Sequence, residues 1–280
     1  MSEITVRDPA TVRAVMEWRG AVPPVVDGPG PTLALRAAMA RFADATEHDA
    51  RRAEVEAAIA TVDVEGLGEA VRVLTRARFG ELSLDANLLA RRVPTQALAA
   101  ALGLDRVDVA DVDAIAAVIG RGSPATPAAD AATERLLALA AAHPAGAVAA
   151  VSLLYQCLDA TAALLLTTLH ASVSGAPRVA AVPRTRRVAA REGVVGALAV
   201  SVGDVLVVEL GQAGLEFGAG PHECPGRAIA DAIVLAMCQE LATGGYDVDP
   251  ATVTTDADGR LVAATLSRAD SSGRQLEPGS

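Results

Sequence analysis

The sequence predicts a mainly α-helical domain carrying small β-sheets, an α+β arrangement. Three observations lead there. Hydrophobic residues make up 51% of the 280 positions but aromatics only 2%, so the core has to be built from Ala, Val and Leu, and Ala and Leu are strong helix formers. Residues 147–170 (AVAAVSLLYQCLDATAALLLTTLH) form the longest apolar run and read as one helix buried on all sides. Residues 194–210 and 246–266 read instead as short strands.

The length suits one large domain with a sizeable core, placed over 1–265, with 266–280 as a flexible tail. Net charge is −10, and each of the 24 basic residues is Arg. An acidic chain without a basic run argues against nucleic acid as a partner. Cys157, Cys224 and Cys238 show no C-x-x-C pairing, and an odd count suits a reducing, cytoplasmic compartment. The opening MSEITVRDPATV has no apolar h-region, so neither a signal peptide nor a membrane anchor is expected. An Asp at the middle of a bilayer costs about 2.5–3.5 kcal/mol. Asp159 sits near the centre of the 147–170 run, which therefore belongs inside protein.

Taken in order, residues 9–18 form a short helix with Asp8 as N-cap and Pro9 at its first position. Trp18 is a core anchor. Residues 20–31 (GAVPPVVDGPGP) are too rich in Pro and Gly for regular structure. A helix follows from 36–42 into the stretch ending at residue 60. It carries His48 and Arg52, whose i, i+4 spacing puts both side chains on one face, suiting a two-point anion clamp; a solvated surface pair is the plain alternative. Segments 64–79 and 87–102 have helical periods, the second broken at Pro94. Further helices are expected at 109–119 and 130–142, separated by the loop 120–127 and stopped by the sequence after His143. Residues 194–210 fold as a hairpin turning at Gly203-Asp204. After residue 226, Ile229, Ile233, Met237 and Leu241 recur every four residues and mark one buried helix face, ended by Gly244-Gly245.

The chemistry concentrates at 217–226, FGAGPHECPG. Cys224 stands where a bent loop meets a helix N-terminus, a place where free N–H groups and the helix dipole depress a thiol pKa. Gly218, Gly220 and Gly226 allow backbone geometries and close approaches that a side chain would block. Phe217 can shield the sulfur, and His222 offers a titratable donor. A Gly-rich turn around a structural cysteine is the plain alternative.

The spacing F-x-x-G-x-H-x-C-x-G resembles the haem-ligand loop of the cytochrome P-450 superfamily, with Phe217, Gly220, His222, Cys224 and Gly226 at its fixed positions. The resemblance implies haem b, Cys224 as the metal ligand, and His222 on a haem propionate. Asp44-Ala-Thr-Glu47-His48 followed by Arg52 resembles the family's D-P-P-E-H-x-x-x-R, implying two further propionate contacts; Arg187, in R-x-A, resembles another. Gln156-Cys-Leu-Asp159-Ala160-Thr161 resembles the A-G-x-D-T-T stretch of the distal helix. It implies catalytic places for Asp159 and Thr161, and Gln156 above the iron. The implied fold is a reduced P-450 with haem between the long distal helix and the Cys-loop helix.

Departures are evident. Gln156, Cys157 and Ala160 replace the small, flexible and hydroxyl-bearing residues of that stretch. Arg178 lacks the Glu three positions earlier that E-x-x-R requires, Gly175 standing there. The lid helices and the meander before the Cys loop are shortened or missing, and the chain is short for the family. The implied function is a monooxygenase-type oxidoreductase acting on a small organic substrate with a ferredoxin-type redox partner. The alternative is a haem-thiolate protein that does not activate dioxygen: peroxide-using, isomerase- or dehydratase-type, or a non-catalytic partner or sensor.

Overall fold

The computed structural model describes residues 2–26, 28–43, 46–79, 83–120, 122–175, 177–256 and 260–268. In chain order the elements are β1 (Glu3–Val6), α1 (Pro9–Glu17), β2 (Ala21–Val22), α2 (Pro31–Ala38), α3 (His48–Ala60), α4 (Val64–Arg76), β3 (Ser83–Asp85), α5 (Ala86–Ala101), α6 (Val109–Ile119), α7 (Pro127–Leu139) and α8 (Ala147–Ser174). There follow β4 (Thr185–Ala189), β5 (Gly193–Val195), β6 (Leu198–Val200), β7 (Val205–Val208), α9 (Arg227–Thr243), β8 (Tyr246–Thr255) and β9 (Leu261–Arg268). The mainly α class with small sheets is the one the composition predicts. Capping is local and conventional. The Asp8 carboxylate accepts the Thr11 N–H at 2.9 Å, and Pro9 opens α1.

Helix α8 is the axis of the larger core. At 28 residues it extends about 42 Å, and Leu154, Leu158 and Leu165 are fully buried along it. It is long and apolar enough to cross a membrane, yet 78% of its most apolar stretch is covered by the protein itself. Helices α3, α5 and α9 contribute to the same core, α9 through Ile229, Ile233, Met237 and Leu241. With so few aromatic rings, close packing is reached by many small Ala, Val and Leu contacts.

A second, smaller core lies between α1 and a four-stranded sheet of order β1-β7-β4-β2. Val12, Val15 and Met16 of α1 pack against Ala189, Leu206 and Val208. β7 runs parallel to β1 and antiparallel to β4, with Arg187 opposite Leu206. β3, β9 and β8 form a three-stranded sheet.

Several local expectations are corrected. Helix α5 runs unbroken through Pro94, which is buried inside it. Burial of that segment against α8 outweighs the hydrogen bond that a helical proline forfeits. The hairpin is β5–β6, turning at Gly196, which takes φ +61. Gly203-Asp204 instead links β6 to β7 of another sheet, and the Asp204 carboxylate accepts the N–H groups of Ser2 and Ser201. The Pro- and Gly-rich stretch after Trp18 contains the short strand β2. Residues 266–268, assigned to a tail, belong to β9, and 269–280 lie outside the described residues.

If α8 is the central support, Leu158→Ala should cost about 2–5 kcal/mol, read as a lowered urea midpoint with an unchanged slope.

Candidate functional site

Between α8 on one side and the loop into α9 on the other lies a cavity of about 200 Å³. Its apolar lining includes Met16, Leu98, Leu153, Leu164 and Ile229. The loop carrying Cys224 is closed by its own backbone, since the Cys224 N–H donates to the Phe217 carbonyl at 2.8 Å. Two glycines make that closure possible. Gly218 has φ +78, and a Cβ there would stand 2.9 Å from the His222 carbonyl oxygen; Gly220 has φ +62, and its Cβ would meet Glu17 Cα at 2.9 Å. Gly226 is different. Its φ of −91 suits any residue, and nothing of the protein lies within 4 Å of where its Cβ would be. It lines the cavity, so the room it keeps is not needed by the chain itself.

Cys224 lines the cavity, with the Gly226 N–H near its sulfur. The expectation of a depressed thiol pKa is corrected. Burial pushes the Cys224 thiol up, and the Gly226 N–H with the charges of Arg41 and Arg52 recovers only part of that. The helix N-terminus alone does not ionise this sulfur; a cation bound to it would. Cys157 and Cys238 are pushed up to about 11 by burial, as unreactive thiols are.

Four of the predicted basic residues converge beside the sulfur. The His48 and His222 rings meet edge to face with centroids 4.2 Å apart, and His48 is buried. Arg52 reaches from α3 to the carbonyls of Pro221 and Glu223, tying that helix to the loop. Arg187 enters from β4, its guanidinium donating to Thr185 Oγ1 at 3.0 Å and to the Arg186 carbonyl. The cluster is only partly compensated: Arg52 also pairs with Glu56 at 2.6 Å and His48 meets Asp49 at 3.3 Å. His222 is held down to about 3 by burial, then by Arg187, His48, Arg52 and Arg41. Burial brings Arg187 down to about 10, with Arg41 adding to it. Arg187 has no carboxylate partner among the described residues. A cluster of this kind is built for an anion.

The α8 residues are divided. Gln156, Ala160 and Thr161 line the cavity. Gln156 donates through Nε2 to Ser152 Oγ at 2.9 Å and to the Ser152 carbonyl. A carbonyl can only accept, which fixes the amide nitrogen on that side. Asp159 does not line the cavity. It pairs with Arg91 of α5, which also holds Asp113 of α6. The proton-relay place expected for Asp159 is therefore taken by a link between three helices.

Arg178, which lacks the Glu of an E-x-x-R pair, finds another carboxylate. It grips Glu216 through both terminal nitrogens, one at 2.9 Å, and the Ala181 N–H donates to the same carboxylate at 2.9 Å. Glu216 immediately precedes Phe217, and only 14% of its side chain is exposed. Burial raises its pKa, but the Arg178 and Ala181 hydrogen bonds outweigh burial and leave the carboxyl below its ordinary value. This pair anchors the entry to the cysteine loop in a chain whose E-x-x-R helix is absent.

No family model matches the chain, and no curated protein matches it significantly in sequence. Solved structures match it closely in shape. P450BioI in complex with hexadec-9Z-enoic acid ligated acyl carrier protein superposes at a TM-score of 0.73 with 14% identity, over 95% of this chain and 92% of that one. The fold is that of the cytochromes P-450. A mutant of P-450 EryK with erythromycin B gives 0.71 at 16% identity, covering 96% and 92% of the two chains. CYP109B1 from Bacillus subtilis gives 0.66 at 14%, covering 94% and 92%. In this P-450 fold α8 occupies the distal side of the cavity and α9 the Cys-loop side.

Sequence reasoning missed Arg41, Arg91 and Glu216. None stands in a motif. Glu216 is paired across 38 positions and Arg91 across 68, so only the fold brings them to their partners. The one available signal for Glu216 was an acidic residue next to the loop and a lone Arg178 without its expected Glu.

Two outcomes follow. Glu216 has a lowered folded pKa, so its contribution is present above the unfolded carboxyl value and is lost as pH falls through the folded one. Glu216→Gln should cost about 1 kcal/mol at neutral pH, given the partial exposure of Arg178, and should flatten the acid limb of urea-monitored stability. Asp159→Asn should also lower stability by about 1 kcal/mol while leaving ligand binding in the cavity unchanged; the reverse pattern would restore a relay role.

Proposed function

We propose that this chain is a haem-thiolate protein of the monooxygenase type, with Cys224 as the single protein ligand to iron. One observation carries it: an unpaired sulfur and the basic groups of His48, Arg52, Arg187 and His222 share one apolar cavity. The donor set fits haem better than a bare ion. Among the described residues no three His, Cys, Asp or Glu side chains gather as a metal cage. An iron that brings its own ring nitrogens needs one sulfur below and cations for its acid arms, and both are present. The open side of Gly226 leaves space next to the ligand.

Bound there, haem would supply an iron centre whose chemistry a Cys224 thiolate would tune toward O–O cleavage. The chain's own residues do the rest. Cys224 binds, with the Gly226 N–H holding part of the sulfur's charge. The basic cluster orients the cofactor's carboxylates, and an anion held among them relieves the repulsion that adds to burial in keeping His222 neutral. Thr161, buried on α8, holds a hydroxyl proton at the cavity wall, where Ala160 offers none. The aliphatic lining excludes water from a small organic substrate. Electrons would come from a ferredoxin-type partner.

A second reading, haem-thiolate chemistry without dioxygen activation, is favoured by the commitment of Asp159 to Arg91 and by the missing hydroxyl at Ala160. Purified protein reduced under carbon monoxide should show the thiolate-type absorption, and Cys224→Ala should abolish it; an unchanged spectrum overturns the ligand assignment. Substrate turnover with peroxide but not with reduced ferredoxin and dioxygen would select the second reading.

A further inference from the structure

Two arginines meet at the Phe42 ring, Arg41 lining the cavity and Arg36 lying behind it. Arg36, on α2, is only 5% exposed, yet its guanidinium has no carboxylate beside it among the described residues. It lies 4.0 Å over the Phe42 ring, donates one terminal nitrogen to the Pro24 carbonyl at 3.1 Å, and leaves Nε buried without a partner. Arg41, in the short 3-10 turn Ala40–Phe42, holds its guanidinium carbon 5.8 Å from the same ring and lines the cavity. It too lacks a carboxylate partner among the described residues.

Two like charges around one ring, one of them buried, are an unfavourable arrangement unless an anion completes it. Burial and the repulsion from Arg41 hold the Arg36 pKa down, although the nearby Tyr155 offsets part of this. The third member of the group links it to α8. Tyr155 of α8, with its ring 6.5 Å from Phe42, directly precedes Gln156 in the segment that forms the distal wall. His48, Arg52 and His222 are instead tied to one another or to the cysteine loop, and already provide for the cofactor's acid arms.

We propose that Arg41, supported by Arg36 across the Phe42 ring, anchors the carboxylate of an aliphatic acid substrate. The guanidinium fork supplies paired N–H donors for the acid head. The Ala, Val, Leu and Ile lining receives the chain. Arg41 also lies in electrostatic range of Arg187, His222 and Cys224, so the carboxylate it meets has two possible sources, the substrate or a porphyrin arm, and the experiment separates them. The inference rests on the haem reading above.

Haem-loaded protein is titrated with decanoate and with decanol, binding being followed by the haem absorption and independently by equilibrium dialysis. Wild type should prefer decanoate, and Arg41→Gln should weaken decanoate roughly 10- to 100-fold while leaving decanol affinity and haem content unchanged. Arg41→Lys should recover part of the loss. Equal affinity of wild type for acid and alcohol overturns the proposal. So does an Arg41→Gln protein that loses haem and keeps its preference for decanoate, because the arginine then serves the cofactor. Haem content, measured first, reports separately on the earlier reading: a wild type that takes up none overturns both, whereas a loaded protein indifferent to the acid head overturns this one alone.

Discussion

The structure depends on placing a half-buried sulfur next to a basic cluster that the chain itself neutralises only in part. Each is unfavourable alone. Burial opposes ionising Cys224, and the same burial, with four neighbouring positive groups, keeps His222 neutral. The two penalties have one remedy, a guest that is cationic where it meets the sulfur and anionic where it meets the arginines. The cavity is thus poised electrostatically by the fold, and its stability is linked to what fills it.

The chain holds this arrangement with few parts. The loop closes on itself through the Cys224 to Phe217 backbone bond and is joined to α3 by Arg52 and to the segment after α8 by the Arg178–Glu216 pair. Asp159 is spent on Arg91, which fastens α8 to α5 and α6. In a core with almost no aromatic side chains, such charged fasteners position helices that shape complementarity alone would hold less uniquely. Their exposure keeps each one modest in energy, so their value lies in register.

Much of this was legible before any coordinates. Helix α6 matched its expected span, and the four-residue stripe of α9 is buried as its spacing implies. Cys224, His222, His48, Arg52 and Arg187 are brought to one cavity as their motifs required. What was not legible depended on distance along the chain. Glu216 and Arg91 find their partners only through tertiary structure. The strand pairings β1–β7 and β3–β9 join segments too short to declare themselves by alternation. Pro94 misled because local backbone cost was weighed without the burial that offsets it. The thiol misled for a similar reason: a helix terminus is visible in a sequence, whereas the degree to which water is excluded is not.

Gly220 touches Glu17 so closely that no side chain fits between loop and first helix. That contact makes the end of α1, far from the sulfur in sequence, a mechanical stop for the ligand-bearing turn. Displacing the first helix would therefore displace the turn that carries Cys224.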